Sequence, residues 1–143
     1  MRSDLSDEAS MIRWLRGEGD ALLRTCYLLC GDLPMARRIA RWAFTDAWMK
    51  RNAPPVLDEH AALLSLLREA MRLCPCRKAL ILPFSRRDAA LRLRRLPPNP
   101  RCAALLCLYH GLSAQDAARV LERDEALVLR DLHRALKLLN IGP

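Results

Sequence analysis

The sequence predicts an all-α protein: two small helical domains joined by a short linker, the second ending in a helix-turn-helix. Three observations predict it. Hydrophobic residues make up 52% of the 143 positions but aromatic residues only 5%, so the cores are built of Leu, Ala, Ile and Met. Leu, Ala and Arg are also good helix formers. No alternating run of β-branched and polar residues is long enough for a strand, whereas apolar residues recur at three- and four-residue spacing. Capping residues, prolines and glycines punctuate the chain at helix-length intervals.

Taken in order, residues 7 to 15 make a short opening helix. A second runs from about Glu18 to Leu29 with Leu22, Leu23, Cys26, Leu29 and Cys30 on one side, and Gly31 ends it. Asp32 caps the third, whose first turn holds Pro34, where a missing N–H does no harm. That helix turns Ile39, Ala40, Ala43, Phe44, Ala47 and Trp48 inward until Ala53-Pro54-Pro55 stops it. Asp58 caps a fourth, carrying Leu63, Leu64, Leu66, Leu67, Ala70 and Met71, and Cys74-Pro75 closes the first domain, residues 1–74. Residues 75–85 form the linker. Its Ala79-Leu80-Ile81-Leu82 run is too apolar for a freely solvated tether, so it docks on one of the domains. The second domain, residues 86–143, opens with a helix marked by Ala89, Ala90, Leu93 and Leu96 that Pro97-Pro98 ends. Asn99-Pro100 supplies a cap and first-turn proline for a helix through Tyr109.

The helix-turn-helix follows. Ser113 caps its short first helix, with Asp116 near the reciprocal capping position, and Ala117, Ala118 and Leu121 form its apolar stripe. Glu122-Arg123-Asp124 breaks the pattern. Asp124 then caps a longer helix with Val128, Leu132, Ala135, Leu136 and Leu139 on one face. Two helices at a sharp angle, the second part-exposed, form the unit that presents side chains to a DNA major groove.

Charge points the same way. The formal net charge is +8, which favours an anionic partner. The N-terminal part nearly balances its charges. The middle does not: Arg72, Arg77, Lys78, Arg86, Arg87, Arg92, Arg94, Arg95 and Arg101 stand against Asp88 alone, a distribution suited to lying along a phosphate backbone. No apolar stretch approaches the roughly 20 residues that span a bilayer, and no signal-peptide core follows Met1. The expectation is a cytoplasmic protein without membrane contact, its thiols reduced.

The cysteines (Cys26, Cys30, Cys74, Cys76, Cys102 and Cys107) lack zinc-ribbon spacing and have no His at finger spacing. They read as buried or incidental, and no metal or cofactor is implied. His60, His110 and His133 fall on different helices with no nucleophile or carboxylate set beside them. Gly17-Glu18-Gly19 lacks the strand and third glycine of a dinucleotide loop. No catalytic residue emerges, so an enzyme is not expected.

The order of pieces resembles the bacterial RNA polymerase sigma factors, most closely the small two-domain, extracytoplasmic-function type. In the second domain the resemblance rests on Leu96-Pro97, Arg101, Leu105, Leu106, Leu108, Tyr109, Gly111-Leu112-Ser113, Ala118, Leu121, Val128 and Leu132-His133-Arg134-Ala135. In the first it rests on Gly31-Asp32, Ala36, Phe44 and Ala47-Trp48. The resemblance implies a non-enzymatic, dissociable subunit that binds core RNA polymerase and directs it to promoter DNA. An anti-sigma factor is a further partner that it allows. Arg37, Arg38 and Arg41 would face polymerase or a substitute partner. Arg68, Arg72, Arg77 and Lys78 would approach the melted strand, whose backbone favours a basic groove. Arg119, Arg123, Arg130, His133 and Arg134 would meet the upstream duplex, with Lys137 a further phosphate contact.

The chain also departs from the family pattern. Arg37, Arg38 and Arg41 stand where acidic and amide residues are usual, reversing the charge of a surface expected to meet basic residues. Leu63-Leu64 and Arg68-Glu69 replace the usual Trp-Leu and Arg-Asn. Ala126-Leu127 and Leu129-Arg130-Asp131 replace small and polar residues of the reading helix. Leucine cannot hydrogen-bond base edges, and Asp131 would repel phosphate. Leu127 and Leu129 either pack internally or mark a protein interface. The alternatives are therefore a sigma-like regulatory interaction module without ordinary promoter recognition, and a non-specific DNA-binding protein.

Overall fold

The computed structural model describes residues 8–50, 58–74 and 92–140, and no strand occurs among them. Helix α1 (Glu8–Cys30) and α2 (Leu33–Met49) are joined by the tight Gly31-Asp32 turn, and α3 (Glu59–Leu73) packs beside α2. In the C-terminal part, α4 (Pro98–Ala104) widens into a π turn (Leu105–Tyr109). It is followed by the helix-turn-helix, α5 (Ala114–Leu121) and α6 (Glu125–Leu138). None of the described helices is long and apolar enough to cross a membrane.

The caps lie where local chemistry puts them. Asp32 accepts from the Met35 amide (3.3 Å), Asp58 from Ala61 (2.8 Å), Ser113 from Asp116 (3.1 Å) and Asp124 from Ala126 (3.3 Å). Each side-chain oxygen satisfies one amide that the first helical turn leaves without a partner. Asn99 is not a cap. Helix α4 starts at Pro98, two residues before Pro100, without any side-chain cap; the missing proline amide is one that needs no partner.

The opening helix and its successor are one continuous helix, not two. Gly17 and Gly19 lie inside α1, each costing about 1 kcal/mol relative to Ala. Packing outweighs that cost. Met11, Leu22, Cys26 and Leu29 are all buried, and Gly19 lies under the Phe44 ring of α2. The matching face of α2 is built of small residues (Ala36, Ala40, Ala43 and Ala47, with Ile39), which lets the helices approach closely. Cys26, Cys30 and Cys74 are buried where α1 meets the end of α3, and the Cys74 thiol points at the Cys26 carbonyl, 3.8 Å away. The neighbouring Cys26 and burial together push the Cys74 thiol far above its ordinary pKa, so it stays protonated and behaves as a small hydrophobe. Cys76 lies outside the described residues.

Candidate nucleic-acid interface

Helix α6 sorts its side chains by burial. Val128, Asp131, Ala135 and, just beyond the helix, Leu139 face inward, and the helix packs chiefly on α4 and then on α5. The opposite face carries Ala126, Arg130, His133 and Lys137 at helical spacing, flanked by Leu129 and Arg134, and all six are exposed. From Ala126 to Lys137 this stripe is about 16 Å long at 1.5 Å per residue. Among the described residues, Arg130, His133, Arg134 and Lys137 make no ion pair or side-chain hydrogen bond, which leaves three cations and an imidazole facing solvent. Leu129, 49% exposed, sits in the open; Leu127 is half-buried.

Two sequence expectations change here. Asp131 does not face outward to repel phosphate; it is buried and accepts from Arg123 Nη1 at 2.7 Å. Arg123 is thereby engaged in an ion pair that braces the turn against α6. The turn itself closes on Glu122, held left-handed at φ 54°, with the Arg123 amide donating to the Ala118 carbonyl at 3.0 Å.

The basic middle of the chain is not a continuous solvated strip either. Arg94 and Arg101 are 1% and 0% exposed. They enter the C-terminal end of α1, where the last carbonyls lack helical partners and the helix dipole is negative. Arg101 donates to the Leu29 carbonyl at 3.0 Å and, through Nε and Nη2, to the Leu96 carbonyl at 3.1 and 2.8 Å. Arg94 donates to the Leu28 carbonyl at 3.3 Å, while its Nη2 is buried without a partner. These guanidiniums hold the C-terminal helices to the N-terminal ones. The sequence signal was their charge, which reads equally well as surface.

Further contacts extend this seam, where α5 packs on α3. Asp116 does not form the reciprocal cap; its carboxylate lies 3.0 Å from His60 Nε2 of α3. Arg68 is held by Glu122, with its Nε 3.1 Å from Oε1. Thr25 gives its hydroxyl proton to the Ala21 carbonyl (2.8 Å), so it accepts from His110 Nε2 (2.7 Å) at the end of the π turn. Burial holds the His110 imidazole below its ordinary pKa.

The structure thus brings Arg130, His133 and Arg134 onto one face. Arg119, also exposed, borders a cavity of about 240 Å³ with Ala61, Leu64, Ser65 and Arg68, which is the α3–α5 seam and not the α6 stripe. Arg68 and Arg72 are exposed but engaged, the latter with Glu69 at 2.6 Å. Hydrogen bonds from Arg72 and then the Trp42 indole hold the Glu69 carboxyl below its ordinary range. Arg77 and Lys78 lie outside the described residues. Arg37, Arg38 and Arg41 are exposed together on α2. Among the described residues, no group of three His, Cys, Asp or Glu side chains is placed to hold a metal ion.

Residues 86–139 match the family described as Sigma-70, region 4. The fold matches the solved structure of CnrH in complex with the cytosolic domain of CnrY. The TM-score is 0.67 at 20% identity, over 94% of this chain and 87% of that one. At that identity the likeness is one of fold. None of the curated proteins matches the sequence. Residues 86–139, which contain the helix-turn-helix, thus match sigma-70 region 4, and the chain shares the fold of that solved structure along nearly its whole length.

Proposed function

We propose that the protein is a non-enzymatic transcription initiation factor that binds core RNA polymerase and directs it to promoter DNA. The observation that carries this is the solvent stripe of α6, in which Arg130, His133, Arg134 and Lys137 are exposed and, among the described residues, unpaired on the second helix of a helix-turn-helix. In this reading α6 lies in the major groove of the upstream element. Arg130, Arg134 and Lys137 contact phosphates, His133 reaches the backbone or a base edge, and Arg119 flanks them from α5. Leu129 and Ala126 would meet thymine methyl groups, the apolar feature the major groove offers. Arg123 acts as a strut through Asp131.

The domains at 1–74 and 86–143 then divide the work, with the linker 75–85 between them. The N-terminal domain would meet polymerase along Arg37, Arg38 and Arg41, and the melted strand along Arg68, Arg72, Arg77 and Lys78. For that, Arg68 must leave Glu122 and α5 must leave α3. This closed seam favours a second reading, a sigma-like regulator that engages polymerase or an antagonist without directing transcription. CnrH was solved with a protein partner, so an anti-sigma factor belongs among the proposed partners.

Run-off transcription with the host's core polymerase and genomic promoter fragments tests the choice. A promoter-specific transcript is expected. Polymerase binding without one would transfer the reading to the regulator. DNA binding that collapses with salt and shows no sequence preference would transfer it to a non-specific binder.

A further inference from the structure

We infer that the groove between α2 and α3 is a docking site for an acidic amphipathic helix of a partner protein. This rests on α2 being the partner-facing helix, and it specifies the chemistry of what that helix meets. The groove has a volume of about 470 Å³ and is lined by Met35, Ile39, Trp42 and Leu73, with Arg38 at its edge. Trp42 is 54% exposed and Met49 is 74% exposed. Arg38, Trp42, Thr45 and Met49 follow one line along α2, at spacings of four, three and four residues. That line is about 16 Å long, three turns of a helix. The Trp42 indole N–H already donates to Glu69 Oε1 at 3.2 Å, so the ring is tethered over the groove with its polar atom satisfied. It offers apolar surface at little further ordering cost.

Charge complementarity selects the occupant. Arg38 on this line and Arg37 and Arg41 beside it are exposed and, among the described residues, make no ion pair or side-chain hydrogen bond. The neighbouring carboxylates are spent: Asp46 on Lys50 at 3.0 Å, and Glu69 on Arg72 and Trp42. A helix that sets apolar residues into the groove at i, i+4 and i+7, with carboxylates on its flanks, would pair the arginines and cover the apolar line. A basic partner surface would face like charges, at a cost of several kcal/mol. Aliphatic walls of Met, Ile and Leu suit branched or thioether side chains better than flat bases, which favours a helix over single-stranded nucleic acid.

The test uses the full chain and labelled peptides in fluorescence anisotropy. One peptide is helical and amphipathic, with leucines at i, i+4, i+7 and i+11 and glutamates on its flanks. Its control keeps the leucines and replaces glutamate by lysine. A single-stranded oligonucleotide is the third probe. The acidic peptide is expected to bind at least tenfold more tightly than the basic one. Trp42→Ala and the triple Arg37→Glu, Arg38→Glu, Arg41→Glu variant should each weaken it about tenfold or more, with unchanged unfolding midpoints. Equal affinity for both peptides, no binding, or binding indifferent to these variants would overturn the inference. So would preference for the oligonucleotide with the same loss on Trp42→Ala, which would make the groove a base-stacking site. Capture of core polymerase by the same variants separates this result from the sigma reading. Peptide binding without polymerase capture upholds the groove and removes the sigma role; the converse removes the groove alone.

Discussion

Among the described glycines, Gly31 is the one at which an added methyl group should do the most damage, because two independent costs meet there. Its φ is +73°, in the region that L residues avoid, and a Cβ built on it would fall on the Arg94 guanidinium. The left-handed backbone costs an alanine about 1–2 kcal/mol. Displacing Arg94 forfeits its charge-assisted bond to the Leu28 carbonyl, about 1.5–3 kcal/mol more. Gly31→Ala should therefore destabilise the chain by about 3–5 kcal/mol, a large share of ordinary domain stability. In an Arg94→Ala background the second cost is already incurred, and the same substitution should cost only about 1–2 kcal/mol. Urea unfolding of the four proteins of the cycle, followed by helical circular dichroism, measures the coupling, expected near 2 kcal/mol. If Gly31→Ala costs the same in both backgrounds, Arg94 does not fill the space above Gly31, and the guanidinium clamp on α1 is wrong.

Three further outcomes follow from other contacts. Asp131→Asn should lower stability by about 1–3 kcal/mol by breaking its pair with Arg123, with DNA affinity unchanged or raised as Arg123 is released; tighter DNA binding with no loss of thermal stability would mean that Asp131 acts by repelling phosphate. Arg130→Ala and Arg134→Ala should each reduce the slope of log affinity for duplex DNA against log salt by about 1, leaving unfolding midpoints in place; unchanged slopes would mean that α6 meets protein. His110 has a depressed pKa when folded, so the unfolded chain binds its proton more readily. The histidine's contribution is complete above the unfolded value of about 6.5 and is lost as pH falls through the folded value. His110→Gln should flatten the stability profile below about pH 6.5, and an unaltered profile would show that His110 is not held as a neutral ring.

The α6 stripe was legible in the sequence, since a helical repeat places Arg130, His133 and Lys137 together whatever the surroundings. So were the caps at Asp32, Asp58, Ser113 and Asp124, where a side chain needs only an amide two or three residues away. The unity of α1 was not. Gly17 and Gly19 weaken a helix locally, and only burial against α2 outweighs them. Asn99 has the spacing of a cap before Pro100, but the helix begins two residues sooner, at Pro98.

Charge was the least legible property of all. Arg94, Arg101 and Arg123 carry the same side chain as Arg130 and Arg134, yet the first two satisfy carbonyls at the end of α1, and the third pairs with a buried carboxylate. By itself, the sequence determined an all-helical chain, its capped helix starts and a helix-turn-helix with a basic outer face. Each of those depends on residues a few positions apart. Only the tertiary structure decided which arginines face solvent and which are clamps, because a guanidinium's partner here lies as many as 72 residues away. Nothing in local spacing reports that approach.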